Sequence, residues 1–270
     1  MKKMLAFYRV VNALSLDVAG GAMICAAFFA ELFHVRLLPQ GIVALGLAVW
    51  IVYTADHLLD ARAITNEAST FRHRFHQDHF KLLSILLLMA CIVEFIVLFF
   101  LRKPLFFNGL WLGLGVVVYI IINRWLKYFK ELAGALLYCG GVLLPALTLN
   151  QQVLQAIDYL LIVEFFLIAF TNLVLFSWLD YEHDIKDQHQ SLVTLVSKEK
   201  VKWIICILFG VFFILSVLTL STHIIGTITL FIMDLILLII FLFFEYFKKD
   251  ERFRYFGDAI FFLPVITFVL

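Results

Sequence analysis

Charge is scarce in this chain of 270 residues. Asp, Glu, Lys and Arg together make up 15% of it, against about 25% in soluble domains. With 64% of residues apolar and a mean hydropathy of +1.01, a soluble globular protein is excluded. Only 4 Pro and 13 Gly are present, which excludes collagen-like and low-complexity chains. The 21 basic residues barely exceed the 20 acidic ones, for a net charge of +1, so there is no basic surplus to hold nucleic acid. The four cysteines, Cys25, Cys91, Cys139 and Cys206, form no C-x-x-C pair. A redox pair, a zinc site and a haem attachment are thereby excluded. Each cysteine sits in an apolar run and reads as a small buried hydrophobe.

What is abundant is apolar sequence in long runs. A helix needs about 20 apolar residues to span a bilayer, and runs bounded by charge give nine candidate spans, 5–33, 38–60, 81–101, 105–123, 132–149, 159–179, 203–221, 224–247 and 254–270. The run 5–33 is too long for a signal-peptide core and contains Arg9 and Asp17, so it reads as a first span. Only two connections are long, 61–80 and 180–202. The expected architecture is all-α, a polytopic membrane protein forming one integral domain around a central cavity. With the N-terminus cytoplasmic, Arg36, Arg102 and Lys103 alone fall on the far side, leaving the other 18 of 21 Lys and Arg inside. That asymmetry supports both the count and the orientation, in a membrane of bacterial inner-membrane type. A faint echo links Ala19–Cys25 and Ala133–Cys139, offset by 114 positions. It hints at two parallel four-helix groups, 1–123 and 132–247, with a ninth helix at 254–270.

The chemistry-bearing signal is a pair of acidic clusters at matching places in the two halves. The second span ends in Asp56-His57-Leu58-Leu59-Asp60, and the sixth in Asp180-Tyr181-Glu182-His183-Asp184-Ile185-Lys186-Asp187. Each contains D-x-x-x-D, which on a helix stacks two carboxylates on one face. One such pair is explained by solvation of a helix end. Two at equivalent ends, with Asp56 a turn inside the apolar boundary, point to a cation. Carboxylates, water and phosphate oxygens are what Mg²⁺ takes, and such an ion can stabilise a departing diphosphate. Arg124, Lys127 and Lys130 recur at helical spacing on the same side, where they can hold phosphate oxygens or simply set the topology.

These residues resemble the UbiA-type intramembrane prenyltransferase superfamily. Asp56–Asp60 is similar to its first aspartate-rich motif, and Asp180–Asp187 with His189-Gln190-Ser191-Leu192 to its second. Tyr119 through Lys127 and Lys130 to Pro145 is similar to its basic segment and fifth helix. The resemblance covers essentially the whole chain in helix count and motif order. It implies nine helices and Mg²⁺ bound by Asp56, Asp60, Asp180 and Asp184. It also implies diphosphate contacts from Arg124, Lys127 and Lys130, with Asp187 assisting. The implied reaction ionises an allylic prenyl diphosphate and alkylates a lipophilic acceptor, often an aromatic ring or quinone precursor, with membrane lipid as the surroundings. Tyr53, Trp178 and Tyr181 are placed to face a carbocation. The family commonly has Asn four residues before the first Asp of each motif. Val52 and Phe176 stand there in this chain, Asn172 lies two turns before Asp180, and His183 replaces a usual Gly.

Four further acids fall inside apolar runs. Asp17, with Asn12 and Arg9, is a candidate cavity residue that orients the acceptor. Glu94, Glu164 and Asp234 read as protonated partners between helices. Two other functions fit an acid-bearing membrane protein, a cation- or proton-coupled transporter and a non-catalytic relative of the prenyltransferases. A transporter is expected to hold its acids near the bilayer midplane, whereas these cluster at helix ends. A CDP-alcohol phosphotransferase packs its acids into one motif, and here the two clusters lie 124 residues apart.

Overall fold

The computed structural model describes residues 2–188 and 190–268, with the side chains of residues 2–6 and of Arg124 outside the description. Among the described residues the fold is entirely helical. In order it runs α1 (Lys2–Ala13), α2 (Leu16–Leu32), α3 (Pro39–Ala63), α4 (Phe71–Asp78), α5 (Phe80–Leu98), α6 (Lys103–Leu126), a 3₁₀ turn (Lys127–Phe129) and α7 (Lys130–Leu149). There follow α8 (Ala156–Leu179), α9 (Tyr181–Lys186), α10 (Leu192–Val196), α11 (Lys198–Thr219), α12 (Ile224–Leu242), α13 (Phe244–Lys248), a second 3₁₀ turn (Lys249–Glu251), α14 (Arg252–Ala259) and a 3₁₀ stretch (Ile260–Phe268).

Among the described residues, seven helices are long and apolar enough to cross a membrane: α3, α5, α6, α7, α8, α11 and α12. Phe7–Ala13 and Leu16–Leu32, bent by 73° at the break between them, pass the same test only when taken together. The expected straight span 5–33 is therefore broken, and its polar residues explain where. Ser15 adopts a left-handed backbone (φ 55°), and Asn12 donates to Asp17 Oδ2 across the break at 2.7 Å. The Trp50 indole N–H donates to the Leu14 carbonyl at 2.9 Å, satisfying an acceptor at the break. The ninth expected helix begins at Arg252 and turns from α to 3₁₀ at Ile260. Pro264, inside that stretch, has no N–H to continue an α-helical ladder.

The helices differ in what they face. In α8, 67% of the most apolar window is buried, against 6% in each of α5 and α6. α8 is thus central, packed on α7, α11 and α12, while α5 and α6 leave most of their side chains exposed. Phe29, Phe165 and Phe261 are buried and meet edge to face (Phe29–Phe165 centroids 5.0 Å), joining α2, α8 and the C-terminal stretch. A Cβ on Gly21 would come within 2.7 Å of Phe261 Cβ, so glycine sets that close approach. Cys25 and Cys139 are buried as expected. Cys91 and Cys206 are exposed instead, Cys91 on the side of α5 that lines the cavity described below.

The two long connections fold into short helices, α4 in the first and α9 and α10 in the second. They are laced together at one end of the bundle. Asp187 accepts from the Ser69 backbone N–H at 3.0 Å and from its hydroxyl at 2.8 Å. Glu251 accepts from the backbone N–H of Phe71 at 3.0 Å, which brings the C-terminal segment to the same place.

Candidate active site

A cavity of about 1060 Å³ opens among α3, α5, α6, α7 and α8, just above the usual range for small-molecule sites, about 300–1,000 Å³. Along α3 its lining runs from Gly41 to Asp60, a helix length of about 28 Å at 1.5 Å per residue. One end is apolar, with Leu101, Leu105, Phe106, Leu144 and Pro145. The other holds the chemistry, with Asp56, His57, Asp60, Arg72, Lys130, Glu131, Asp180, Asp184 and Arg254. The two D-x-x-x-D pairs, far apart in sequence, thus face one space. α3 and α8 both finish at the polar end, and α7 starts there.

The first pair sits on the last turns of α3. Asp56 accepts from Asn123 Nδ2 at 3.0 Å, and Asp60 Oδ2 lies 3.5 Å from Lys130 Nζ. An amide therefore meets the first Asp, supplied by α6 rather than by position 52 on α3. The second pair straddles the end of α8. Asp180 Oδ2 is bound by the Arg254 guanidinium, while Asp180 Oδ1 is buried with no hydrogen-bond partner. Burial raises the Asp180 carboxyl pKa, against the pull of Arg254. For Asp184, burial followed by the neighbouring Asp180 charge pushes it up to about 7. Glu131 Oε1 accepts from the backbone N–H of Leu192 at 2.8 Å, fixing α10 against the site.

The donor set is hard oxygen, as Mg²⁺ requires, and the first pair fits the ion. Its two carboxylates stack on one helix, and Asp60 is about one-fifth exposed with Lys130 Nζ 3.5 Å away. The second pair fits less well, because a guanidinium already holds Asp180. Among the described residues no group of three or more His, Cys, Asp or Glu side chains is arranged to hold one ion. The four carboxylates therefore form two separate pairs rather than a single centre.

The other expected residues divide. Tyr53 and Lys130 line the cavity. Lys127 is exposed at the helix break (φ 43°) and does not line it. Asp187 ties the long connections together through Ser69, Tyr181 lies under Lys198 Nζ (5.6 Å to its ring), and Trp178 packs on Phe241 and Phe244. Asn172 is buried beneath Gly257. Asp17 is buried in the broken first span and is not a lining residue. Arg124's side chain and His189 lie outside the description. Of the acids inside apolar runs, Glu164 accepts from Thr219 Oγ1 at 2.6 Å, a contact between helices as expected. Glu94 lines the cavity.

Sequence reasoning missed a polar network behind the acidic motifs. Arg72, 7% exposed, donates to Asn12 Oδ1 (3.1 Å), Asp258 Oδ2 (3.3 Å) and His57 Nε2 (3.3 Å). Since a guanidinium only donates, His57 Nε2 is the bare nitrogen, and Nδ1 carries the proton toward Ser15 Oγ at 3.4 Å. Asn12 also donates to Asp258 at 2.7 Å. Arg72 and Arg254 had been legible only as charges that orient the chain. No sequence spacing links them to the acidic motifs.

No protein-family model matches the sequence, and no curated protein is similar to it in sequence. The fold does have a counterpart, the apo structure of a UbiA homolog from Aeropyrum pernix K1. The two superpose with a TM-score of 0.66 over 96% of this chain and 98% of that one, at 12% identity. The chain therefore has the fold of a UbiA homolog over nearly its full length, and the expected fold class holds.

Proposed function

We propose that this chain is a Mg²⁺-dependent prenyltransferase of the membrane, joining an allylic prenyl diphosphate to a lipophilic acceptor. The observation that carries the reading is the cavity. It has two acidic motifs at one end and, from Gly41 to Val52 on α3, an apolar wall about 17 Å long, a shape that suits a molecule with a diphosphate head and a hydrocarbon tail. The UbiA-like fold supports the same class of reaction. A transporter reading gains no support from acids gathered at helix ends.

In this reading the prenyl chain lies along Leu45, Leu101 and Leu144, with its diphosphate between α3 and α8. Asp56 and Asp60 would hold Mg²⁺, which when bound would supply positive charge favouring departure of the diphosphate. Lys130 adds a further positive charge at the same end. The bond between the allylic carbon and the diphosphate oxygen breaks with both electrons going to oxygen. The acceptor's π electrons then form the new carbon–carbon bond, and the acceptor loses a proton to a base. Tyr53, Tyr119 and Tyr138, all lining the cavity, offer ring faces to the allylic cation. The dry apolar wall keeps water from capturing that cation. The acceptor is aromatic or a quinone precursor, and the polar end faces the cytoplasm with the N-terminus on that side, in a bacterial-type inner membrane.

The test is to incubate membranes containing the chain with labelled prenyl diphosphate, Mg²⁺ and lipid extract. Labelled lipid product is expected from the unaltered chain, and its loss from Asp56→Ala and Asp180→Ala. If no prenyl diphosphate binds, and both variants match the unaltered chain in every assay, the reading is wrong. Cation flux in reconstituted vesicles would then become the measurement to make.

A further inference from the structure

We infer that Arg254 is a substrate-binding residue of this site, its guanidinium meeting the diphosphate at the second acidic motif in place of a second divalent ion. The inference rests on the prenyl-transfer reading and deepens it. Two D-x-x-x-D pairs offer two cation positions at the polar end of the cavity. At the first, Lys130 Nζ stands 3.5 Å from an Asp60 that is about one-fifth exposed; at the second, the Arg254 guanidinium is bonded directly to a buried Asp180.

Arg254 comes from α14, the helix that begins the C-terminal segment, and it is buried (8% exposed) together with Asp180 (6%). It is held on several sides. Asp180 Oδ2 takes one N–H, Glu251 Oε2 lies 3.7 Å from its Nε, and the rings of Phe253 and Phe176 lie 5.3 and 5.9 Å from its central carbon. Gly257 brings α14 close enough for this. A Cβ there would stand 2.5 Å from Phe176 Cε1 and 2.7 Å from Asn172 Oδ1, so no larger residue lets the helix approach α8 so closely. Phe176 and Gly257 thus act together to deliver the guanidinium to the wall of the cavity, which Arg254 lines beside Asp180 and Asp184.

The chemistry suits a diphosphate. A guanidinium carries five donors in a planar fork that matches phosphate oxygens. The contact with Asp180 uses one, and the guanidinium lines the cavity beside Asp184. Asp180 therefore orients the fork and leaves donors for the substrate. A dication placed on Asp180 Oδ1 would sit beside a fixed positive charge in a partly dry site, where repulsion is weakly screened. Arg254 and one divalent ion on α3 together supply the positive charge. The expected stoichiometry is one ion per chain.

The experiment counts ions in the complete chain, purified in detergent. Saturating farnesyl thiolodiphosphate, which resists ionisation, is the ligand, and Mn²⁺ is the ion, with bound Mn²⁺ obtained from the loss of the free-ion electron paramagnetic resonance signal. One Mn²⁺ per chain is expected. Two would overturn the role of Arg254 while leaving prenyl transfer intact. Failure of the analogue to bind at all would remove the prenyl-transfer reading and this inference with it. Arg254→Gln is expected to weaken the analogue about 30-fold or more, the loss typical of a buried charged partner. Because that variant leaves Asp180 buried and uncompensated, Arg254→Lys and the neutral pair Asp180→Asn/Arg254→Gln are measured alongside it. Lys keeps the charge without the fork and is expected to fall between Gln and Arg. If a folded Arg254→Lys or paired variant binds the analogue as tightly as the unaltered chain, the inference is wrong.

Discussion

Arg72→Ala is the perturbation that reaches furthest through this fold. The Arg72 side chain starts from the short helix α4 and ties three other elements: α1 through Asn12, α3 through His57 and α14 through Asp258. Breaking a buried ion pair by removing one partner costs about 3–5 kcal/mol, because the other charge stays buried without compensation. Asn12 still donates to Asp258 at 2.7 Å, which places the expected loss near the lower end, about 3 kcal/mol. At about 2–4 °C per kcal/mol for a chain of roughly this size, thermal unfolding in detergent is expected to shift down by about 6–12 °C. Intrinsic fluorescence is a suitable probe, since Trp50 donates to the Leu14 carbonyl next to the network. Asp258→Asn supplies the cycle. If Arg72 and Asp258 act on each other, the double variant loses less than the sum of the two, by about 0.5–3 kcal/mol. Arg72→Lys is expected to recover little, because an ammonium cannot present the fork that meets three partners. A shift below about 2 °C for Arg72→Ala, or strict additivity with Asp258→Asn, would show that the network does not hold these elements together.

Three further outcomes follow from other parts of the site. Gly257→Ala forces a methyl onto Phe176 and Asn172. Overpacking of that kind costs about 1–3 kcal/mol, and an unchanged unfolding temperature would mean that α14 does not press on α8. Asn123→Asp places a carboxylate where an amide now donates to Asp56, so metal-free thermal stability is expected to fall and added Mg²⁺ to restore part of it; a Mg²⁺-independent loss would count against an ion at the first motif. His76 is buried and its Nδ1 lies 2.9 Å from the Arg72 carbonyl, and burial lowers its pKa below the usual 6.5. With the folded value below the unfolded one, its stabilisation is complete above about pH 6.5 and is lost as pH falls toward the folded value. Limited proteolysis between residues 64 and 79 is therefore expected to speed up on going from pH 7.5 to 5. His76→Gln is expected to flatten that dependence, and a pH response that survives the substitution would assign it to another group.

The membrane architecture was legible because lipid imposes a length and a polarity that a single sequence displays directly. Spans such as 105–123 and 159–179 needed nothing beyond hydropathy. The break at Ser15 was not visible in the same way, although its causes were. Asn12 and Asp17 look like two intrusions into an apolar run until Asn12 is seen to bond both Asp17 and Asp258. Hydropathy treats each polar residue as a penalty. The fold instead uses these two to end one helix and anchor another.

The acidic motifs were legible for a related reason, since D-x-x-x-D carries its geometry within one helix turn, and the sequence places both pairs at the same end. Their counter-ions were not, because an ion pair between Asp180 and Arg254 crosses 74 positions with no periodicity to announce it. In the sequence Arg254 and Arg72 look no different from their neighbours Arg252 and Arg74, which pair with acids only two and seven positions away. Burial separates them, because a charge that only orients a loop can stay in water. Arg72 and Arg254 are 7% and 8% exposed, and burying a guanidinium is so costly that partners must be built for it. Those partners, Asp258 and Asp180, are themselves buried carboxylates near the cavity. The basic residues worth testing first in such a chain are therefore the ones that have left the solvent, and the flanking charges come second.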